Sequence, residues 1–328
     1  MIPQISVIIP IYNVEKYIER CARSLFEQTL QDIEFIFIDD CSPDNSVKIL
    51  KDVLKHYPKR QEQTKIISLT QNGGSGNART IGIKAALGEY IIHCDSDDWI
   101  DKDLYEKMYN SARTNNADIV ICDIANEFNN HTTYKIYQKI NQNPRIAIQE
   151  IWRNFFDMYT WNKLVKREIL LLNSILPFPN INMWEDNGIM YRIFYHSNIV
   201  IQIHDTYYHY NRCNENALTH QYGEKRIQEM ITCAELLTNY FTEDKALMKT
   251  LHMLQFCAKV NLITDNFKNL KRFKKIFPGV EREASKIDKR AFSKRGRIRL
   301  FFVTHHLTIL FILIYKLKNF LLQINITK

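Results

Sequence analysis

Clusters of carboxylate, amide and glycine residues are the parts of this sequence whose types and spacing suit chemistry. Asp95, Asp97 and Asp98 fall within four residues directly after an apolar run. Carboxylate oxygens are the ligands that Mg²⁺ and Mn²⁺ prefer, and two or three carboxylates this close repel one another without a cation. A helix N-cap explains the same triplet equally well, because Asp favours that position. The triplet therefore predicts either a divalent-cation site or a capped helix.

A second carboxylate pair, Glu185-Asp186, opens a segment in which apolar residues recur at helical spacing. Acidic residues at a helix start often only complement the helix dipole. A carboxylate beside a reacting centre can also act as a general base that takes the proton of an attacking hydroxyl group. On its own, the pair is compatible with both interpretations.

Two further motifs are ambiguous when each is taken alone. Asp39 and Asp40 precede Ser42 and would suit an ordinary solvated turn, although a carboxylate at a sheet edge can accept from the hydroxyls of a nucleotide. Residues 72–79 form a Gly-rich turn before a helix, so the backbone N–H groups and Arg79 could face a diphosphate. The turn matches neither a P-loop nor a dinucleotide fingerprint, and glycines beside Asn also make ordinary turns.

The elements that must position these clusters alternate between strand and helix. Apolar runs at 5–9, 34–38, 65–69, 89–94 and 117–122 predict strands, and the segments between them have helical spacing. This alternation predicts an α/β fold with a mostly parallel, doubly wound sheet. Ligands bind outside the carboxyl ends of such strands, so we expect the polar clusters to share one edge.

Beyond residue 123 the alternation weakens. Helical spacing occurs over 147–172 and 185–196, a Pro-containing loop spans 176–184, and 198–203 predicts another strand. The pattern is helical from about residue 223.

This organisation predicts two parts of the chain. The first is a domain over 1–215, made of two halves at about 1–125 and about 126–215. The second is a helical region over 216–328. At 328 residues and 45% hydrophobic composition, the chain can bury a full core, which excludes a disordered tail or a disulfide-stapled mini-domain.

Five motifs follow one another in a specific order over about residues 4–210. They are Ser6-Val-Ile-Ile-Pro-Ile-Tyr-Asn13, Ile38-Asp-Asp-Cys-Ser42, Asn72-Gly-Gly with Ala78-Arg79, Gly88-Glu-Tyr with Asp95-Ser-Asp-Asp98, and Trp184-Glu-Asp186. In this combination they resemble the family 2 glycosyltransferases, which have the GT-A fold. The resemblance implies an inverting transfer from a nucleotide-diphosphate sugar, usually a UDP-sugar, with Mn²⁺ or Mg²⁺ as cofactor.

The resemblance makes about 1–125 the nucleotide-sugar half of the first domain and about 126–215 its acceptor half. On the donor side, it implies that Asp40, rather than Asp39, contacts the uracil base. It favours Asp97 for direct metal contact and Asp95 for ribose or metal, with Asp98 able to replace either. The residues expected to bind the nucleotide-sugar are Pro10, Tyr12, Asn13, Asp39, Asp40, Asn72, Gly73, Gly76, Arg79, Asp95 and Ser96.

On the acceptor side, the resemblance makes Asp186 the catalytic base and Glu185 its neighbour. Trp161 and Leu164 also lie at helical spacing, which is typical of core residues. Relatives sometimes have a late histidine near the metal, although the alternation over 207–210 favours a half-buried strand. The residues expected at the acceptor are Trp184, Trp161, Asn162 and Lys163, and the late histidines are His204, His209 and His220.

Positive charge is concentrated at the C-terminal end. Residues 1–267 have 28 basic and 33 acidic side chains, whereas residues 268–328 have 16 and 3, within a net charge of +8 for the chain. The uncharged run Leu300–Tyr315 is shorter than the roughly 20 apolar residues of a spanning helix. Residues 268–328 are therefore predicted to lie on an anionic membrane surface, the alternative being a helix packed on protein.

Cysteine usage and the N-terminus bear on location. The seven cysteines are scattered and include no C-x-x-C pair, which argues against a zinc site and a disulfide framework and predicts a reducing compartment. The chain begins Met1-Ile-Pro-Gln and runs directly into a predicted strand, so no signal peptide is expected. We expect a cytoplasmic protein that is peripheral on the inner face of the cell membrane.

Together these features predict an inverting glycosyltransferase of bacterial surface polysaccharide synthesis, acting on a lipid-linked glycan acceptor. One alternative is a catalytically silent nucleotide-sugar-binding homologue, which is disfavoured because both carboxylate motifs are present. Another is a nucleic-acid-binding protein that uses the basic end. The basic end contains no recognised readout motif, so we expect no nucleic-acid partner, and the sequence predicts no particular oligomeric state.

Overall fold

The described residues form a nine-stranded sheet with helices around it, followed by a helical region. The chain divides into two compact units, one made of 1–147 and 157–221 and the other of 148–156 and 222–328. The computed structural model describes residues 2–137, 140–151, 157–214, 223–263, 270–286, 294–305, 307–311 and 313–314.

Continuous apolar runs build the parallel half of the sheet. The first strand, Ile5–Ile11, lies between two parallel neighbours and is buried at all but one position. Strands of parallel sheets are covered on both faces, which explains why these segments are apolar throughout. The predicted strands are confirmed here, in the order β3-β2-β1-β4. Their bounds are β1 Ile5–Ile11, β2 Ile33–Asp39, β3 Thr64–Ser68 and β4 Tyr90–His93.

The other half of the sheet is mixed. A short strand, β8, runs antiparallel to both β4 and β6, whereas β9 is parallel to β6 and also pairs with β5 in antiparallel fashion. The predicted α/β class is confirmed, with antiparallel pairs in this half. The strands are β5 Trp99–Ile100, β6 Ile119–Glu127, β7 Thr132–Lys135, β8 Lys163–Lys166 and β9 Val200–Asn211.

Eight helices lie N-terminal to β9 among the described residues. In the first of them Ile18, Cys21 and Leu25 are fully buried at the spacing of an amphipathic helix. The helices are α1 Ile18–Phe26, α2 Ser46–Leu54, α3 Pro58–Gln61, α4 Ser75–Ala85, α5 Leu104–Asn115, α6 Pro144–Gln149, α7 Arg167–Leu172 and α8 Glu185–His196.

The helical prediction for 147–172 is wrong at 163–166, which form β8. Strand β8 pairs with β4 on one side and with β6 on the other. Leu164 and Val165 point to opposite faces of the sheet, and both are buried. A short apolar segment with neighbours on both sides gives no periodicity that separates a strand from a helix.

The second unit is helical, as the pattern from residue 223 predicts. Asp244 caps the N-terminus of its helix Lys245–Val260 by accepting from the Leu247 N–H at 3.0 Å. None of the helices within the described ranges combines the length and apolar character that crossing a bilayer requires. The helical segments of the second unit are α9 Glu224–Tyr240, α10 Lys245–Val260, a 3₁₀ turn Asn261–Ile263, α11 Leu270–Lys275, α12 Val280–Ala284 and α13 Lys294–Thr304.

Candidate active site

The carboxyl ends of β1, β2 and β4 meet at one edge of the sheet, because these strands are parallel neighbours. Ile11 at the end of β1 is paired with Asp39 at the end of β2. Tyr12 and Asn13 then leave the sheet and are exposed, whereas Pro10 is half-buried. The expectation that the donor motifs share an edge therefore matches the observed strand order.

Asp40 holds the Gly-rich turn in place. Its carboxylate is buried and accepts the N–H groups of Gly73 and Gly74, each at 2.7 Å. Gly74 has a φ of +83°, which a residue without a side chain adopts readily. Asp39 accepts the Ser42 N–H at 2.9 Å through Oδ1 alone. Both carboxylate oxygens of Asp40 thus accept hydrogen bonds from the turn. Asp39 Oδ2, by contrast, accepts no hydrogen bond from the described residues.

The backbone of the turn is already bonded within the protein. Gly76 donates its N–H to Asn182 Oδ1 at 3.1 Å, and a Cβ at Gly76 would approach the Ile181 carbonyl to 2.3 Å. The N–H groups of Gly73 and Gly76 therefore both donate hydrogen bonds to side chains of the protein. Asn72 donates its side chain to the Asp40 carbonyl at 3.2 Å.

Arg79 joins the two carboxylate clusters. Its Nη2 donates to Asp95 Oδ1 at 2.6 Å, and its Nε lies 3.5 Å from Glu185 Oε1. Burial lowers the pKa of Arg79, but attraction by Asp95 and Glu185 outweighs it and leaves the pKa raised. Its buried Nε and Nη1 groups have no hydrogen-bond acceptor among the described residues. An anion placed beside Asp95 would supply those acceptors.

Asp98 has a positioning role. It is fully buried, and its two oxygens accept from the Tyr208 hydroxyl at 2.7 Å and the Asn211 N–H at 2.8 Å. The same Tyr208 hydroxyl accepts the Asp95 N–H at 3.0 Å. Asp98 therefore anchors the loop after β4 to β9, and both of its carboxylate oxygens accept hydrogen bonds within the protein. The neighbouring Ser96 is buried as well.

Asp95 and Asp97 suit a divalent cation. The Asp95 side chain is 30% exposed, and Asp97 accepts from the Asn214 amide at 2.7 Å through one oxygen. Burial, together with repulsion from Asp95, raises the pKa of Asp97 to about 6. Within the described ranges no three His, Cys, Asp or Glu side chains converge on one metal position. Two carboxylates fit a cation that takes its remaining ligands from substrate phosphates and water.

Glu185 and Asp186 begin α8 and carry raised pKa values. Burial and repulsion from Asp186 raise the pKa of Glu185 to about 7, and burial likewise raises that of Asp186. Asp186 Oδ1 accepts the N–H of Asn187 at 2.7 Å. Trp184, directly before the pair, has a φ of 71°, which is strained for a bulky residue. This backbone conformation sets the direction in which the chain enters α8.

Three of the four expected acceptor residues lie in the interior. Trp161, Asn162 and Lys163 have relative exposures of 4%, 0% and 1%. Trp161 stacks on Tyr208 with ring centroids 4.2 Å apart. Trp184 is half-buried.

Lys163 is buried and close enough to Asp186 for their charges to interact. Its Nζ donates to the Asp157 and Tyr159 carbonyls and to Asn162 Oδ1, at 2.7, 2.8 and 2.7 Å. Burial lowers the pKa of Lys163 to about 7, although attraction by Asp157 and Asp186 opposes this shift. In return, the positive charge of Lys163 helps to keep Asp186 ionised.

Several contributors to the site escaped the sequence analysis. Tyr208 and Asn214 hold the carboxylates of the loop after β4, and Asn182 holds the Gly-rich turn. The alternation over 207–210 predicts a half-buried strand, which is confirmed, but it does not indicate the partner of Tyr208. No motif indicates the asparagines.

The late histidines take part in other contacts. His204 pairs with Asp123 at 2.7 Å, and His209 lies between Glu127 at 2.8 Å and Asp101 at 3.0 Å. His220 lies outside the described residues.

Comparison with known sequences gives a consistent result. The family model described as glycosyl transferase family 2 matches residues 6–172. EpsJ, an uncharacterized glycosyltransferase of Bacillus subtilis (strain 168), is 34% identical over 225 residues, which are 67% of this chain and 64% of EpsJ, just under two thirds of that protein. Glycosyltransferase GlyG of Streptococcus pneumoniae serotype 4 is 31% identical over 219 residues, which are 63% of this chain and 70% of GlyG.

Solved structures share the fold. S. aureus TarS 1–349 in complex with UDP-GlcNAc has a TM-score of 0.70 at 19% identity, covering 95% of this chain and 90% of that one. Mannosyltransferase PcManGT of Pyrobaculum calidifontis, in complex with GDP-Man and Mn²⁺, has a TM-score of 0.55 at 15% identity, covering 94% and 85%. The predicted GT-A fold, with its helical C-terminal region, is confirmed.

Proposed function

Because this chain belongs to glycosyl transferase family 2 and is a glycosyltransferase, we propose that it moves a sugar from a UDP-sugar to a hydroxyl group of a glycan acceptor. The transfer inverts the anomeric carbon. TarS, which shares the fold, was crystallised with UDP-GlcNAc, and this supports a UDP-sugar donor.

One observation carries the proposal. Arg79 contacts Asp95 at the end of the parallel strands and Glu185 at the start of α8. One buried cation therefore links the expected donor-binding edge to the residue beside the expected base. Its Nε and Nη1 groups have no hydrogen-bond acceptor among the described residues, which supports the proposal that a nucleotide diphosphate binds near Arg79.

The side chains divide the reaction between them. Asp186 takes the proton of the acceptor hydroxyl as that oxygen bonds to the anomeric carbon from the face opposite the diphosphate. The bond to the diphosphate breaks, and Arg79 stabilises the negative charge that develops there. Lys163 keeps Asp186 ionised before the proton moves. Asp39 is available to the base of the nucleotide, since Asp40 clamps the turn.

A divalent cation suits the carboxylates of Asp95 and Asp97. The raised pKa of Asp97 reflects burial beside a second carboxylate, and a cation relieves that repulsion. When bound, the ion would offset negative charge on the departing diphosphate. PcManGT, of the same fold, was crystallised with Mn²⁺, which supports Mn²⁺ or Mg²⁺ in this role.

The acceptor is proposed to be a lipid-linked glycan in bacterial surface polysaccharide synthesis. The family resemblance of the motifs and the similarity to bacterial glycosyltransferases support this choice. Trp184, half-buried and next to the base, is the residue proposed to contact it.

UDP release across a panel of UDP-sugars, with Mn²⁺, Mg²⁺ or chelator, tests the proposal. Asp186→Asn should lower turnover by about 10²–10⁴-fold, because it removes the proton acceptor. Asp205→Asn is the matched control, since Asp205 is exposed and its positive φ suits Asn. If no sugar is turned over, calorimetry with UDP and metal follows. Absence of metal-dependent UDP binding as well would contradict the proposal.

A further inference from the structure

The last described helices expose apolar side chains opposite their own buried residues. Leu300, Val303 and Phe311 are packed inside, at 4%, 4% and 7% exposure. A helix on a protein surface ordinarily presents polar residues to water, and clustered exposed apolar side chains mark an interaction surface. The exposed set, called the apolar face below, consists of Ile298, Phe301, Leu307, Ile309, Leu310, Leu313 and Ile314, each 39–52% exposed.

The same unit presents cations in an open groove. Lys271 and Lys275 are exposed and have no ion pair among the described residues. Arg272 donates to Gln228 Oε1 and makes a long ion pair with Glu224, at 3.9 Å. The groove, called the basic groove below, is lined by Lys271, Arg272, Lys275 and Ile276.

We propose that the apolar face and the basic groove dock the second unit on an anionic lipid surface. Apolar side chains enter the boundary between headgroups and acyl chains, while cations attract anionic headgroups. The charge fits this partner, since residues 268–328 carry 16 basic and 3 acidic side chains. The surface lies outside the unit that holds the catalytic carboxylates, so this proposal does not rest on the glycosyl transfer.

Other occupants account for only part of these features. A second copy seated on the apolar face would bring like charges of two second units together, which opposes association. A nucleic acid would use the cations but not half-exposed Ile and Leu side chains. A lipid surface with anionic headgroups uses both.

Co-sedimentation of the full chain with vesicles tests the proposal. Binding is expected to vesicles of equimolar phosphatidylcholine and phosphatidylglycerol, not to phosphatidylcholine alone, and to weaken with salt. Lys271→Gln/Lys275→Gln should lower the affinity about 30-fold, since each cation near such a surface contributes independently. Phe301→Ser/Leu310→Ser should lower it about tenfold or more.

Matched controls come from the first unit. Lys48→Gln/Lys51→Gln neutralises two exposed lysines there, and Leu172→Ser removes a side chain that is 75% exposed. Both should bind vesicles like the parent. Circular dichroism checks that every variant is folded.

Four outcomes would overturn the proposal. They are absence of vesicle binding, equal binding to neutral vesicles, equal weakening by the control variants, and a dimer in sedimentation velocity that Phe301→Ser/Leu310→Ser dissociates without any effect on vesicles. Salt-sensitive binding of duplex DNA in place of vesicles would favour a nucleic acid instead. UDP release by the parent is measured separately, so none of these results bears on the proposed glycosyl transfer.

Discussion

The two compact units use charge in opposite ways. In the first, the carboxylates of Asp98 and Glu185 are buried beside a fixed partner, which is Tyr208 for Asp98 and Arg79 for Glu185. In the second, Lys271 and Lys275 are exposed beside apolar side chains and have no ion pair among the described residues. A buried charge with a fixed partner acts on one atom at short range, whereas exposed charges act together on a surface. The difference separates a reacting centre from a docking surface.

The largest expected effect comes from removing the central buried cation. Arg79→Met leaves Asp95 and Glu185 without their partner and should lower the free energy of unfolding by about 3 kcal/mol in urea denaturation. Arg113→Met is the control, because Arg113 is 60% exposed in its pair with Glu89 and should change stability by less than about 1 kcal/mol. Equal losses would break the distinction between buried and exposed charge.

Removing one hydroxyl group should have a smaller effect. Tyr208→Phe leaves one oxygen of the buried Asp98 carboxylate and the Asp95 N–H each without a partner, and should reduce the free energy of unfolding by about 1–3 kcal/mol. Tyr207→Phe changes a neighbouring ring on the other face of β9 and should have little effect. Similar unfolding curves for the two variants would contradict the role of Tyr208 as an anchor.

The pH dependence of turnover separates the two charged neighbours of Asp186. Asp186 must be ionised to accept a proton, so turnover falls as pH drops through its pKa, which burial raises. Below about pH 7 Lys163 is cationic and favours ionised Asp186, so Lys163→Met should move the acid limb to higher pH. Burial and the neighbouring Asp186 raise the pKa of Glu185 to about 7, so Glu185 is largely uncharged below that pH and Glu185→Gln should move the limb less than Lys163→Met does. Rate profiles from about pH 5 to pH 8 in which Lys163→Met leaves the acid limb in place or moves it to lower pH would contradict this account.

The smallest effect is expected in the second unit. Lys271→Gln/Lys275→Gln should change the free energy of unfolding by less than about 1 kcal/mol, because exposed side chains without partners contribute little to stability. Lys259→Met sharpens the comparison within the same unit. Lys259 is buried and pairs with Glu281 at 2.6 Å, so Lys259→Met should lower the free energy of unfolding more than Lys271→Gln/Lys275→Gln does. Urea denaturation of the two variants gives the test.

The parallel half of the sheet was predictable because its physics is local. A strand covered on both faces must be apolar along its whole length, and turns at its carboxyl end favour Gly, Asp and Asn. These signals placed β1, β2 and β4 and the polar clusters after them.

The mixed half was not predictable in the same way. β8 is four residues long, and its strand conformation depends on neighbours from β4 and β6 rather than on its own pattern. Likewise, the sequence contains three carboxylates at 95–98, but it does not indicate that Asp98 anchors the loop. The anchor is a hydrogen bond from Tyr208, and Tyr208 reaches Asp98 only when β9 pairs with β6 in the folded protein.

The anchoring of the loop after β4 has a consequence for the order of events during synthesis. Its hydrogen bonds to Tyr208 and Asn214 join positions 110 and 117 residues apart. The parallel strands can pair while the later part of the chain is still on the ribosome, but Asp97 and Asp98 then lack Asn214 and Tyr208. Contacts between distant positions form late, so we expect catalytic competence to be the last property the nascent first unit acquires. A chain that stops at residue 172 would keep the parallel strands and lack the groups that complete the site.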